Sequence, residues 1–475
     1  MSSQQKTILL LLCLLAIRLV AMSVIPLNET TEARYGEIAR KMLETGNGVT
    51  LLHDYTVPFL AKPPLSTWLS AAFMGVFGVN ELAARLPSLL FSIGVLALTG
   101  FAAYARSGGA AARVAMLVLT SSVGFFIAAG SVMTDPALLF CTTLIMVAFW
   151  RALHHQSRLW GYLFFVGCGF GLLAKGPVAL ALTGVPIFLW IVIQKQWRPL
   201  WQCLPWVSGC LLVLAVALPW YLLAEQRTPG FLQYFIMGEN IGRFLDPGWK
   251  GDQYGFAHAY PRGMIWLFAL AGLFPWSIVA LGRLRSLRRG ADGWTLYLGL
   301  WVMIPLLFFT FSANIIWPYC LTMMPGFALL LAGMDERTSR FFAGFAGVVG
   351  ILAMIAFVAY PEKTGNHQKD VVAAWQAEKP DAGSALLFWG ARMEFSAAFY
   401  SGGRAKSTND PALANALLHN ETQDYIVVND SSLKRLPPEI PQAFKEIARF
   451  KNGRGVRILL QESFREGKTN HDDRY

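Results

Sequence analysis

Charge is what this chain is shortest of. Only 15% of its 475 residues are Asp, Glu, Lys or Arg, while 55% are hydrophobic. Soluble domains carry about 25% charged residues, so this composition argues against an ordinary water-facing globule. Long uncharged runs are left, and these suit transmembrane helices. Cysteine is also sparse: Cys13, Cys141, Cys168, Cys203, Cys210 and Cys320 all fall in apolar segments without metal-ligand spacing. That argues against a disulfide framework and leaves them as small buried hydrophobes. No Walker loop and no dinucleotide glycine fingerprint stands in a strand-to-helix context. No internal repeat is visible, which weighs against a secondary transporter. The net charge of +11 does not call for nucleic acid, because Lys and Arg gather in the cytoplasmic loops of membrane proteins.

The uncharged runs predict about eleven spans, near 7–26, 86–105, 114–133, 136–150, 159–174, 176–194, 201–224, 263–282, 294–311, 317–334 and 341–360. Each approaches the ~20 residues that cross a ~30 Å hydrocarbon layer. The first, interrupted by Arg18 and followed by no clean small-residue cleavage site, reads as an uncleaved helix. The run 63–80 is short and rich in small residues, and reads as interfacial or re-entrant. Parity then gives sidedness. With Lys6 inside, the alternate loops carry Arg106 and Arg113, Arg151 and Arg158, Lys195 and Arg198, Arg283 to Arg289, and Arg337 and Arg340. Every one of these loops is basic, as the positive-inside rule asks. Residues 1–360 thus form a membrane domain with outer loops 27–82 and 225–262. Residues 361–475 turn polar, with short apolar runs at 385–389, 425–428 and 456–460 and a helical patch at 411–419; they read as a small extracytoplasmic α/β domain, with the last dozen residues disordered.

The outer face collects the unusual residues. In the first loop, Tyr35, Ile38, Ala39, Met42 and Leu43 follow helical spacing, so an amphipathic helix is expected to lie flat on the outer surface. Thr30 or Thr31 can cap it, Glu32 suits its first turn, and Gly46 can end it. Glu29 and Glu32 then stand at its start, either as caps or as catalytic acids. Asp135, in Thr134-Asp135-Pro136, is either an N-cap or a functional carboxylate at membrane depth. Lys62 and Lys175 precede Pro and Gly-Pro at outer helix ends; each can snorkel or hold a phosphate. Arg243 and Arg262 lie among aromatics in the second outer loop, and arginine forms bidentate pairs with phosphate. No spacing supports a metal site at His53 or His258, and no cofactor is expected.

Several of these segments resemble those of one family. Glu32-Ala33-Arg34-Tyr35-Gly36-Glu37-Ile38-Ala39-Arg40-Lys41-Met42, Ala61-Lys62-Pro63, Thr134-Asp135-Pro136, Ala174-Lys175-Gly176, Pro219-Trp220, Phe274-Pro275-Trp276 and Pro318-Tyr319 are similar, in order, to the lipid A aminoarabinose transferases. That family belongs to the wider GT-C group with the protein O-mannosyltransferases. The resemblance covers residues 25–320 and implies a GT-C, α-helical integral membrane glycosyltransferase of a bacterial inner membrane. It implies a polyprenyl-phosphate sugar donor and a periplasmic acceptor, either lipid A, another surface glycan or a protein hydroxyl. Thr31 stands where the family has an Asp before Glu, so the acid is either Glu29 or Glu32. Glu239-Asn240 stands where the wider group often has Glu-His.

On this reading Glu29 or Glu32, with Asp135, activates the acceptor or steadies the sugar as positive charge develops on it. Lys62 and Arg262, with Lys175 or Arg243 in reserve, neutralise the departing lipid phosphate. Tyr35 and Tyr319 line the donor site. The rival from another class is a lipid-linked sugar transporter, which would move the lipid without transferring its sugar.

Overall fold

The computed structural model describes all residues except 156, 247–248, 256–257, 259, 288–291, 391–392, 453–454 and 464–475. The expectations for Arg288, Arg289 and the last dozen residues therefore lie outside the described residues. The chain divides into two compact units, one of residues 1–22 and 42–351 and one of residues 23–41 and 352–475. The sequence had placed the boundary near 360 and kept the first outer loop with the membrane domain; 23–41 instead join the C-terminal unit.

Apolar helices make up the first unit. They are α1 (Ser3–Val24), α3 (Leu65–Phe77), α4 (Glu81–Ser121), α5 (Val123–Ala128), α6 (Asp135–His155), α7 (Arg158–Lys175), α8 (Val178–Gln194), α9 (Trp197–Cys203) and α10 (Trp206–Arg227). After α11 (Arg243–Leu245) come α12 (Met264–Gly272), α13 (Trp276–Leu287), α14 (Gly293–Thr310), α15 (Met324–Leu331) and α16 (Glu336–Ala359). Helix α2 (Thr31–Thr45) links the units, and a small hairpin, β1 (Leu52–Asp54) with β2 (Val57–Pro58), precedes α3.

Among the described residues six helices are long and apolar enough to cross a membrane, or seven if the pair α12 and α13, bent by 103°, is one span. The shortfall from eleven has local causes. Asn80 caps α4, its Oδ1 accepting from Ala83 N at 2.9 Å, but Gly108 at φ 81° breaks the helix into two where two spans were expected. Pro275 sits in the bend between α12 and α13, where it offers no N–H to a helical ladder. Helix α3 has 13 residues, about 20 Å at 1.5 Å per residue, which is too short to span. That agrees with the interfacial or re-entrant reading of 63–80.

Several buried Trp and Tyr rings of this unit find a polar partner for their N–H or O–H. Trp276 Nε1 donates to Ser121 Oγ at 2.9 Å, Trp301 Nε1 to Thr322 O at 3.0 Å, and Tyr297 OH to Met146 O at 2.8 Å. Glu336, opening α16, accepts from Arg113 at 2.5 Å and from Thr7 at 2.9 Å, which ties α1, α4 and α16 together at one end. All six cysteines are free.

The second unit carries α17 (Pro361–Thr364), α18 (Lys369–Ala377), β3 (Leu386–Trp389), α19 (Phe395–Tyr400), β4 (Ala405–Thr408), α20 (Pro411–Ala416), β5 (Tyr425–Asn429), α21 (Ile440–Ala443), β6 (Phe444–Asn452) and β7 (Gly455–Glu462). The sheet order is β4-β3-β5-β7-β6, parallel across β4, β3 and β5 and antiparallel across β5, β7 and β6. Residues alternate across it as strand geometry requires. Leu386, Phe388, Tyr425 and Val427 pack with Val371, Val372 and Trp375 of α18. Leu387, Trp389, Ile426 and Val428 pack with Leu417 and Ile440 on the other face. The apolar runs and the 411–419 patch fall where the sequence set them. Strands β4 and β6, mostly polar and at the sheet edges, were missed.

Segment 23–41 is woven into this unit. Glu29 N donates to Asn366 O at 2.7 Å, Asn366 N to Asn28 Oδ1 at 2.9 Å, and Leu27 N to Tyr400 OH at 2.8 Å. Helix α2 forms as its spacing predicts, with Tyr35, Ile38, Ala39 and Met42 buried, but Leu43, the fifth position of that face, is exposed. It does not lie as a surface helix, however, because Glu37, Arg40 and Lys41 on its polar side are buried too.

Candidate active site

A cavity of about 240 Å³ in the first unit brings the outer-loop cations together. Lys62, Lys175 and Arg243 line it beside Glu239, with Phe235, Phe309 and Tyr319 among its aromatic walls. Each polar member has a local cause. Lys62 follows the β1–β2 hairpin, where Pro63 and Pro64 keep the chain out of a helix until α3 begins. Lys175 ends α7 because Gly176, at φ 80°, turns the chain; a Cβ there would lie 2.5 Å from the Phe235 ring. The Lys-Gly-Pro motif thus lets the aromatic wall close on the lysine. Glu239 and Asn240 lie in a π-helix, Gln233–Gly242, and wide turns of this kind occur often at functional sites.

The cations meet carboxylates at short range. Lys62 Nζ lies 2.8 Å from Glu239 Oε2, and Arg243 Nη1 reaches Glu239 Oε1 at 3.0 Å and Oε2 at 3.2 Å. Arg243 Nη2 lies 3.4 Å from Asp252. Burial alone would raise the Glu239 carboxyl, but Lys62 and Arg243 outweigh it and hold the group below its ordinary value. Lys175 Nζ lies 2.5 Å from Asp135 Oδ1 and 4.6 Å from the centre of the Tyr319 ring, which itself stacks on Phe309. Asn314 braces the far wall: its Nδ2 donates to Arg243 O at 2.9 Å and its Oδ1 accepts from His258 N at 2.9 Å.

Asp135 opens α6 and is buried, with Thr134 before it buried as well. Its partner is the Lys175 side chain. Arg262 is exposed in the turn before α12 and does not line the cavity. The two cations held in reserve, Lys175 and Arg243, line it in its place. His53 packs against the rings of Phe59 and Tyr254, with centroids 6.2 and 5.2 Å apart.

The first-loop acids are placed in the second unit. Glu29 Oε1 accepts from Ser396 N at 2.5 Å, and its Oε2 is buried without a hydrogen-bond partner. Burial pushes its carboxyl up to about 7, against the lowering effect of the Ser396 bond. Glu29 thus sits as an anchor of the loop on the sheet domain. Glu32 Oε2 accepts from Asn28 N at 3.3 Å, closing the first turn of α2 as an N-terminal acid does. Tyr35 is buried, with the Arg34 guanidinium over its ring.

Sequence reasoning gave no role to two groups. Glu239 is the carboxylate shared by Lys62 and Arg243, and its i, i+4 spacing from Arg243 was a usable signal. Glu37 takes Arg40 at 2.6 Å and Lys41 at 3.7 Å, all three almost wholly buried. That spacing, i+3 and i+4, was also legible.

The family model for dolichyl-phosphate-mannose-protein mannosyltransferases matches residues 7–235. The undecaprenyl phosphate-alpha-4-amino-4-deoxy-L-arabinose arabinosyl transferase of Edwardsiella ictaluri is 28% identical over 68% of this chain and 59% of its own length. A Pseudomonas fluorescens protein of the same name is 32% identical over 65% of this chain and 55% of its own. The chain therefore spans less than two thirds of the length of the curated relatives it matches. The crystal structure of ArnT from Cupriavidus metallidurans bound to undecaprenyl phosphate superposes with a TM-score of 0.77 at 16% identity, covering 97% of this chain and 98% of that one. At that identity the likeness speaks for the fold.

Proposed function

We propose that this chain belongs to the GT-C membrane family of aminoarabinose transferases and protein O-mannosyltransferases and transfers a sugar from a polyprenyl-phosphate donor to an acceptor outside the cytoplasmic membrane of a bacterium. The observation that carries the reading is the cavity of Lys62, Lys175 and Arg243 at the ends of apolar helices. Three cations beside apolar walls suit a ligand that is phosphate at one end and hydrocarbon at the other. The relatives' names supply the donor class, a sugar on undecaprenyl phosphate.

In the proposed step the acceptor oxygen attacks the anomeric carbon and the bond from that carbon to the phosphate oxygen breaks. Polyprenyl phosphate leaves with the bonding electrons. Lys62, Lys175 and Arg243 meet its growing charge, and the acceptor's proton passes to a carboxylate. Asp135 is the favoured base, because incoming phosphate competes with it for Lys175 and thereby frees its oxygens. Glu239 keeps Lys62 and Arg243 in place. Glu32 is retained as a first-loop candidate, whereas Glu29 is read as an anchor. Tyr319 lines the donor site. Attack opposite the phosphate gives inversion.

The basic loops support a cytoplasmic N-terminus, and alternation of the hydrophobic runs in the sequence puts the loops that carry Lys62, Lys175 and Arg243 on the periplasmic side. Lipid A or another surface glycan is the favoured acceptor, on the resemblance to the lipid A aminoarabinose transferases. The match over 7–235 keeps a protein hydroxyl as the second reading. Washed membranes given a labelled polyprenyl-phosphate sugar decide: label should appear on lipid A or glycan, or on protein for the second reading. Label that crosses the bilayer still on its lipid would mark a transporter instead.

A further inference from the structure

We propose that a second cavity, at the opposite ends of α6, α8 and α14, binds the phosphodiester headgroup of an anionic phospholipid. It measures about 570 Å³ and is lined by Arg106, Arg151, His154, His155 and the rings of Trp150 and Trp294, among others. Its distance from the first cavity follows from α6. Leu138 lines one cavity and His155 the other, and that stretch of helix rises about 25 Å at 1.5 Å per residue. The second cavity therefore opens near the other membrane interface, close to one ~30 Å hydrocarbon thickness away.

Its chemistry is that of an anion site set among interface aromatics. Among the described residues Asp292 is the one carboxylate in the lining, and it is taken by Arg106 at 2.5 Å. Arg151 stays without a carboxylate among the described residues. Its guanidinium lies 5.1 Å from the Phe101 ring centre, its Nη1 lies 2.7 Å from His155 Nε2, and its Nε is buried with no hydrogen-bond partner. A buried donor of this kind calls for an acceptor oxygen. Trp150 stacks on His154 and packs against Trp294 at 4.5 Å, forming an amphipathic wall. Beside the mouth, α9 lends Cys203 to the lining and leaves Trp197 and Trp201 exposed, as helices at a lipid interface do. Basic pockets between membrane helices at this depth suit anionic headgroups, with arginine gripping the phosphate oxygens. The inference does not depend on the transfer reaction.

Native mass spectrometry of the purified full chain, in detergent with equal phosphatidylglycerol and phosphatidylethanolamine, tests it. Phosphatidylglycerol should be retained preferentially, and Arg106→Gln and Arg151→Gln should each cut its retention about fivefold. Arg106 is exposed, so its variant keeps the test valid if Arg151→Gln fails to fold. Arg337→Gln, on an exposed residue outside the cavity, should change nothing. Equal retention of the two lipids, or full retention by both arginine variants, would overturn the proposal. So would displacement of the lipid by glycerol phosphate at the same concentration, which would mark a site for a soluble anion.

Discussion

Around the cation-lined cavity, the Lys62, Lys175 and Arg243 side chains keep 20%, 10% and 22% of their surface exposed while paired with carboxylates. In α2, the Glu37, Arg40 and Lys41 side chains keep 0%, 6% and 1%. Both groups are ion pairs at similar distances, yet only the first opens on space where a ligand can compete for the cations. The second is sealed, so its charges can only hold structure. An ion pair becomes chemically useful when one partner can be exchanged, and burial decides that more than residue type does.

The sharpest break of this contrast is Glu37→Ala. It leaves Arg40 and Lys41 buried beside a missing anion and should destabilise by about 3–5 kcal/mol. Thermal unfolding of the full chain measures it; a loss of activity at unchanged stability would move Glu37 from structure to chemistry. Next comes Lys62→Ala, expected to lower kcat/KM for the polyprenyl-phosphate donor by about 10²- to 10³-fold, with Asp135→Ala comparable. Their stability should change less than that of the Glu37 variant, since water reaches the cavity. Equal activity of either variant and wild type would remove it from the reaction.

Glu29 gives a pH signature. Its ordinary value is 4.5 and burial in the folded chain lifts it to about 7. Between these values the folded chain keeps a proton that the unfolded chain has lost. Stability from this group is therefore full below about 4.5, falls as pH rises, and levels off above about 7. Glu29→Gln should flatten that slope and stabilise at pH 8 by at most about 3 kcal/mol. Hydrogen exchange of β3 and β5 at pH 5 and pH 8 reads it, and an unchanged slope would place the titrating group elsewhere. The smallest effect is expected for Arg262→Ala: exposed and outside the cavity, it should alter transfer by less than about twofold, within the range of ordinary surface substitutions.

Much of this was legible in the sequence. Hydrophobic runs located α1, α6, α10, α14 and α16; short apolar runs located β3, β5 and β7; helical spacing located α2. Lys62, Lys175 and Asp135 were singled out from charge beside Pro and Gly at helix ends, and Tyr319 from the family resemblance. Arg262 was preferred to Arg243 because both sit among aromatics, and local pattern cannot say which turn faces inward. Glu239 was passed over for lack of a histidine neighbour, although its partners lie 177 and 4 residues away.

The sequence by itself determined that this is a helical membrane protein with polar chemistry at the helix ends and a small α/β unit after them. The reason is that period and run length are local properties that solvent and bilayer read directly. Only the tertiary structure decided that 23–41 join the C-terminal unit, that Glu29 anchors there, and that Glu239 gathers Lys62 and Arg243. Those outcomes depend on which distant side chain supplies the compensating charge or hydrogen bond once water is removed, and no local pattern records that choice.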